Sequence, residues 1–347
     1  MQKPRKLKSG DKVAAVTLSC GLPASFPHRY EAGKRQLQDE FGLQVVEMPH
    51  ALQYPDWIAK NPQARAEDLM AAFSNSSIAG VISTIGGEDS LRMLPHIDLE
   101  VIRANPKIFL GYSDSTVTHF LCYKAGLVSF YGPSVMAGFG ENCGLFPSMV
   151  ESVRKTLFYS EPVGIIEPNR EGWTVEHLDW AVPENQFRKR KLNPPEPWRW
   201  VQGEGVARGH LMGGCLEVVE FLRGTNIWPD ADVWQDAILF LETSEEACPP
   251  AVLRRALRSY AAMGILHKLS GILLGRPGGG VPLDAFGEYE NAMLQVVAEE
   301  EGLTHLPIIT RMDFGHTDPM LVLPYGVLAQ IDCEKKQFAI LESAVTD

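Results

Sequence analysis

Three residue types that together can run an acyl-transfer reaction stand where this chain leaves regular structure. Ser113 lies in "FLGYSDSTVTHF", after the apolar run Ile108 to Leu110 and Gly111, and before Val117, Phe120 and Leu121 at helical spacing. A strand-to-helix turn at that point would push the hydroxyl out of a sheet edge. The unpaired N–H groups and positive dipole end of the helix would lie beside it. That arrangement suits a nucleophile whose product is an oxyanion. It half meets the G-x-S-x-G elbow, with Ser115 in place of the second glycine. The plainer alternative is that Ser113 or Asp114 only caps the helix.

Glu242 ends "AILFLE". A carboxylate after five apolar residues needs a partner if it is buried, and an imidazole N–H would serve. Otherwise it is an exposed strand end. His316 sits in "DFGHTDPMLVLPYG", between Gly315 and Pro319. Imidazole is the usual general base near neutral pH, although a loop histidine can also be purely structural. Gly86-Gly87 follow a strand directly. Glycines there let the backbone approach a ligand and aim N–H groups at developing negative charge, though paired glycines also make ordinary turns. A serine needs a base to lose its proton, and the base needs an orienting carboxylate. Serine, glutamate and histidine occur here in that chain order.

The elements that must position them alternate. Strands are expected at Val13–Leu18, Leu43–Met48, Ile78–Thr84 and Lys107–Tyr112. Helices are expected from Tyr30 to Phe41, from the Asn61 cap and Pro62 to about Phe73, and through Tyr123. Alternation of this kind implies parallel crossover units, with ligands at the carboxyl ends of the strands, where Gly86-Gly87 and Ser113 fall. From about Ser160 to Gly205 the pattern breaks into a stretch rich in Pro, Glu, Arg and Trp. Such a stretch is a linker or a functional loop. The second half restarts with a strand Val206–Met212, Gly213-Gly214 and a helix through Leu222. Then come strands Ala237–Leu241 and Gly271–Gly275, helices Pro249–Met263 and Phe286–Glu300, and a hairpin Val327–Leu341. The expected organisation is residues 1–160, a connection 161–204, and residues 205–347.

Composition narrows the function. The chain has 347 residues and a net charge of −11, and its one basic run is Arg188 to Lys191. Nucleic-acid binding is therefore not expected, because phosphate neutralisation needs a basic face. The run could attract a phosphate or simply be a solvated face. Six cysteines without a C-x-x-C pair exclude zinc-ribbon and redox-motif readings, and no metal or cofactor is expected. No apolar h-region or membrane-length apolar stretch is present, so a cytoplasmic protein without membrane contact is expected.

Four ordered blocks, "TIGGEDSLRMLPHID", "FLGYSDSTVTHF", "ILFLETSEE" and "FGHTDPMLVLPYG", resemble the LD-carboxypeptidase family of serine peptidases. The resemblance runs from about Leu7 to Leu341. It implies Ser113 as nucleophile, His316 as base and Glu242 as its orienter, with the N–H groups of Gly87 and Asp114 as oxyanion donors. It further implies a parallel-sheet α/β N-terminal domain, a more β-rich α/β C-terminal domain, a site between them, and a cytoplasmic homodimer. One branch of the family trims D-alanine from murein tetrapeptides. The other, microcin-immunity-like, cuts the amide between an aspartyl or glutamyl residue and a nucleotide-like group. The long connection, "PEPWRWVQGEG" and "GGEDS" resemble the second branch. That places Gly86, Glu88, Trp198 and Trp200 among the expected substrate contacts, with a tryptophan stacking the base. Both tryptophans could instead pack the connection onto the domains. A non-catalytic two-domain binding protein would keep the cleft but not the triad. A glutamine amidotransferase-like enzyme would need a cysteine at the elbow, and Cys122 lies well inside the helix.

Overall fold

The computed structural model describes all 347 residues. The first sheet is built from β1 (Lys12–Val16), β2 (Gln44–Glu47), β3 (Ile78–Ser83), β4 (Ile108–Gly111) and β5 (Phe130–Tyr131), all parallel. Helices Pro27–Phe41, Pro62–Ser74, Leu99–Ala104 and Thr116–Lys124 make the crossovers. β3 and β4 are almost wholly buried, as strands covered on both faces must be. The first long crossover helix stops at Gly42, whose φ of 68° lets its N–H turn back to the carbonyls of Gln38 and Leu37. Asn61 precedes the second long helix, but its side chain does not cap it; the amide donates to Trp57 O at 2.7 Å instead.

The second sheet contains β6 (Gly164–Ile166), β7 (Arg199–Gln202), β8 (Val206–Cys215), β9 (Ile238–Glu242), β10 (Gly271–Gly275), β11 (Ile308–Met312), β13 (Leu328–Asp332) and β14 (Gln337–Ile340). Its strand order is β6-β14-β13-β8-β9-β10-β11-β7. The four strands β8 to β11 are parallel, and antiparallel strands extend both flanks. The protein is thus a two-domain α/β molecule whose second domain holds the larger sheet. No helix is long and apolar enough to cross a membrane.

Two expectations change. The span 161–204 is not a free connection, because β6 and β7 lie in it and close opposite edges of the second sheet. Between them a 3₁₀ turn, Pro183–Phe187, is tied to the first domain: Gln186 Nε2 donates to the carbonyls of Gly140 and Glu141. The boundary at 205 is also crossed. The short strand β12 (Leu323–Pro324) pairs antiparallel with β5 of the first sheet, Leu323 opposite Tyr131.

The two domains meet through a seam of glycines. β8 was expected to stop before Gly213-Gly214 but runs on to Cys215. Gly213 has φ +155°, and a Cβ there would lie 1.7 Å from Phe240 O. At Gly214 a Cβ would lie 2.6 Å from Thr116 Cγ2 and 2.9 Å from the Tyr325 hydroxyl. The missing side chain at Gly213 lets β8 lie close against β9, while the one missing at Gly214 lets the helix that follows Ser113 sit on the second sheet. There Cys215 N–H donates to Thr116 Oγ1 at 3.2 Å, and Tyr325 Oη donates to Gly213 O at 2.7 Å. Gly213→Ala should therefore lower unfolding free energy by at least ~2 kcal/mol, the range of overpacked and backbone-strained core sites. Urea denaturation against wild type measures it.

Candidate active site

Ser113 stands between β4 and the Thr116–Lys124 helix with φ +60°, a left-handed conformation rare outside glycine. Small neighbours make room for the sharp turn. A Cβ on Gly86 would lie 2.8 Å from Ser113 Cβ, and one on Gly111 would lie 2.7 Å from Ser115 Oγ. The capping alternative is not what the chain builds. No side chain caps this helix, and the Asp114 carboxylate accepts from the Ser90 N–H at 2.8 Å, on another segment. Ser113 N–H donates to the Tyr131 hydroxyl at 3.0 Å, while its own Oγ makes no hydrogen bond within the protein and faces a cleft.

Glu242 is the last residue of β9 and is fully buried. It is fully engaged. Tyr131 Oη donates to Oε1; His316 donates to Oε2 through Nδ1 at 2.7 Å and through its backbone N–H at 3.3 Å. Gly315 explains why a glycine precedes the histidine: a Cβ there would lie 2.5 Å from the Glu242 carboxylate. Burial, then the Glu242 charge, pushes the Tyr131 phenol far up, so it remains a neutral donor. Burial alone would push His316 down, but Glu242 and Glu245 outweigh it and hold the imidazole at about 10. Glu245 is exposed along its length, yet its carboxylate reaches His316 Nε2 at 3.0 Å. That contact occupies the nitrogen that faces Ser113 in a serine–histidine pair.

Ser113 and His316 share a cavity of about 760 Å³ between the domains, with Gly86 and Gly87 on its wall. The N–H groups of Gly87 and Asp114 are bonded to no carbonyl. Gly87 has φ +146°, and a Cβ on it would meet Ser19 Oγ at 2.3 Å. The residue types expected to work together therefore do converge.

Other expected contacts do not. Trp198 is buried beside Phe338 and donates Nε1–H to Asp313 at 2.6 Å. Trp200 lies in β7 at the sheet edge, opposite Ile309. Neither lines the cleft; both pack the connection onto the second domain, because strand pairing dictates where an edge strand's side chains go. Glu88 is exposed and outside the cleft lining. The tryptophan that lines it is Trp180, with the Arg29 guanidinium 4.8 Å from its ring centroid and Phe26 edge-on at 6.0 Å. The basic run is divided. Arg188, Lys189 and Lys191 are exposed, while Arg190 turns inward to Glu141 and to Asp318, the latter at 2.7 Å. Sequence reasoning passed over Tyr131, Glu245 and Trp180. Tyr131 carried a signal, since "SFYGP" ends a strand beside β4. Trp180 lies in a stretch without period and gave none.

Cys215, Glu242 and His316 offer donor atoms within 4.8 Å of one another. They are a poor ligand set. Nδ1 and the carboxylate already hold each other, and burial pushes the Cys215 thiol far above the range in which it yields the thiolate a metal needs.

Comparison with known proteins agrees with this architecture. The LD-carboxypeptidase N-terminal domain model matches residues 13–132 and the LD-carboxypeptidase C-terminal domain model matches residues 208–331. The chain is similar to the microcin C7 self-immunity protein MccF of Escherichia coli, 29% identical over 97% of this chain and 94% of that protein. It is also similar to a probable murein peptide carboxypeptidase of Bacillus subtilis, 26% identical over 99% of this chain and 96% of the relative. The solved structure of MccF with aspartyl sulfamoyl adenosine superposes with a TM-score of 0.86 at 27% identity, covering 100% of both chains.

The His316 environment makes a stability prediction. Its pKa is about 10 in the folded protein, against an ordinary value of 6.5. A raised pKa adds stability in full below the unfolded value and loses it as pH rises through the folded one. The stability difference between wild type and His316→Gln should therefore be largest below pH 6.5 and shrink to nothing by about pH 10. Denaturant titrations across that range measure it. Glu242 and Glu245 hold the two ring nitrogens, Tyr112 packs against the ring, and Asp318 and Arg190 line the same cavity.

Proposed function

The chain belongs to the LD-carboxypeptidase family of peptidases, and we propose that it hydrolyses the amide between an aminoacyl group and a nucleotide-like moiety through a serine acyl-enzyme. The observation that carries this reading is Trp180 on the cleft wall, in the same cavity as Ser113 and His316. An indole face backed by a guanidinium stacks a nucleobase well. The relative solved with aspartyl sulfamoyl adenosine supports the same class of substrate.

In this reading His316 takes the Ser113 proton through Nε2, while Glu242 holds Nδ1–H and stabilises the imidazolium. The serine oxygen attacks the scissile carbonyl. The resulting oxyanion sits against the N–H groups of Gly87 and Asp114, each such donor being worth roughly 3 kcal/mol in the transition state. His316 returns the proton to the leaving amine, and water then releases the acyl group by the same route in reverse. Tyr131 holds the turn and the carboxylate in register, because its one hydroxyl accepts from Ser113 N–H and donates to Glu242.

Ser113→Ala should abolish hydrolysis while leaving the melting temperature within a few degrees of wild type. His316→Ala and the double variant should each cost about as much as Ser113→Ala alone, since members of a triad are strongly non-additive. Additive losses would assign His316 to binding or folding instead. Trp180→Ala should lower kcat/KM for aspartyl sulfamoyl adenosine by roughly 5- to 150-fold and leave turnover of a murein tetrapeptide unchanged, the peptide having no base to stack. Equal effects on both substrates, or faster cleavage of the tetrapeptide by wild type, would assign the protein to cell-wall peptides.

A further inference from the structure

Glu245 has no part in the scheme above, yet it holds the atom that scheme needs. Its carboxylate lies 3.0 Å from His316 Nε2, and the Ser113 hydroxyl is left without a partner. While this pair stands, Nε2 carries a hydrogen and cannot accept one from serine. Glu245 is also the cleft carboxylate best able to change partner. Asp318 is bound to Arg190, Glu176 accepts from the Lys191 N–H, and Asp179 accepts from the Ala181 N–H. The side chain of Glu245 is 74% exposed, so it can swing without unpacking a core. The strand end it follows is firmly held. Ser244 N–H and Oγ both donate to Glu217, and Gly279 lies under Glu245 so closely that a Cβ there would meet its carbonyl at 2.2 Å. The tip is thus free to move on a backbone that is held.

Substrate geometry says what the tip would meet. The α-nitrogen of an aminoacyl group is bonded to the carbon next to the scissile carbonyl, so it enters within about 2.5 Å of the carbon that Ser113 attacks. The Glu245 carboxylate, 3.0 Å from the Nε2 that must face Ser113, borders the same part of the cleft. An ammonium there is the natural exchange partner for a carboxylate lying against an imidazolium. An acylated nitrogen, as in the body of a peptide, carries no charge and makes a poor one.

We propose that Glu245 selects substrates with a free ammonium group beside the scissile carbonyl, releasing His316 Nε2 to Ser113 as it takes that ammonium. The Nε2 proton leaves to cleft water, since the charge that held it is now neutralised by the substrate. A free α-ammonium thus becomes a condition for a competent base, and it distinguishes aminoacyl conjugates from internal peptide bonds. This inference rests on the aminoacyl-nucleotide reading.

The test uses the full chain, with aspartyl sulfamoyl adenosine and its N-acetyl derivative as paired substrates. Wild type should favour the free amine by roughly 10- to 150-fold in kcat/KM, the range of a charge-assisted hydrogen bond. Glu245→Gln should erase that preference, chiefly through a higher KM for the free amine, and should move the acidic limb of the rate profile to lower pH. Glu246→Gln, an exposed neighbour that does not touch His316, should keep both preference and profile. An unchanged preference in Glu245→Gln, or equal turnover of both substrates by wild type, overturns the role of Glu245 and leaves the aminoacyl-nucleotide reading standing. Cleavage of neither substrate overturns that reading and the inference with it.

Discussion

The structure turns on one buried carboxylate. Glu242 is wholly removed from water at the end of a strand of the second sheet. An unpaired charge in that position would cost several kcal/mol, so partners must be brought to it. They come from two directions: Tyr131 from the first sheet, His316 from the loop after β11. The first domain therefore supplies part of the second's electrostatic completion. Removing one partner of a buried pair costs about 3–5 kcal/mol, much of it the charge left behind. Interdomain docking and the relative placement of Ser113, Glu242 and His316 are for this reason a single problem with a single solution.

Tyr131 extends that solution to Ser113. Its hydroxyl accepts from the Ser113 backbone and donates to Glu242, so the left-handed turn at the serine is tied to the carboxylate that orients the imidazole. β12 reinforces the link by crossing back and pairing with β5 at Tyr131 itself. The glycines at 86, 213, 214 and 315 are the spatial counterpart of these bonds. At each, a single carbon would collide with a group that must stay where it is.

Around this rigid centre the cleft wall is made of less regular chain, held by charge. Arg190 joins Glu141 of the first domain to Asp318 of the second, and the 3₁₀ turn after residue 182 hangs on carbonyls of the 140–141 bend. Arg29, buried and pushed down to about 10 mainly by that burial, supports the inner face of the Trp180 ring. The cleft thus has an aromatic wall toward the connection, Trp180 backed by Arg29, and an exposed carboxylate, Glu245, beside His316. A ligand with a flat ring at one end and an ammonium at the other matches that polarity.

The residues most legible in the sequence were those under local constraint. Ser113 announced itself through strand, glycine and helix periodicity, and Glu242 through five apolar neighbours. His316 stood out because Gly315 and Pro319 flank it; the folded chain shows why Gly315 must be small. The parallel strands of the first domain were readable because strands buried on both faces leave continuous apolar runs. What only the folded chain decided were partnerships across distance. No local pattern says that Tyr131 would bridge serine and glutamate, or that Arg190 alone of a basic run would turn inward. The tryptophans show the difference most plainly. Trp198 and Trp200 sit in a conspicuous motif yet pack an edge strand, while Trp180, in a stretch without periodicity, faces the cleft. Strand propensity is set by neighbours along the chain, but the pairing of β7 with the distant β11 is set by the fold. Which aromatic ring reaches a cavity is set by how an irregular segment is anchored to two domains at once.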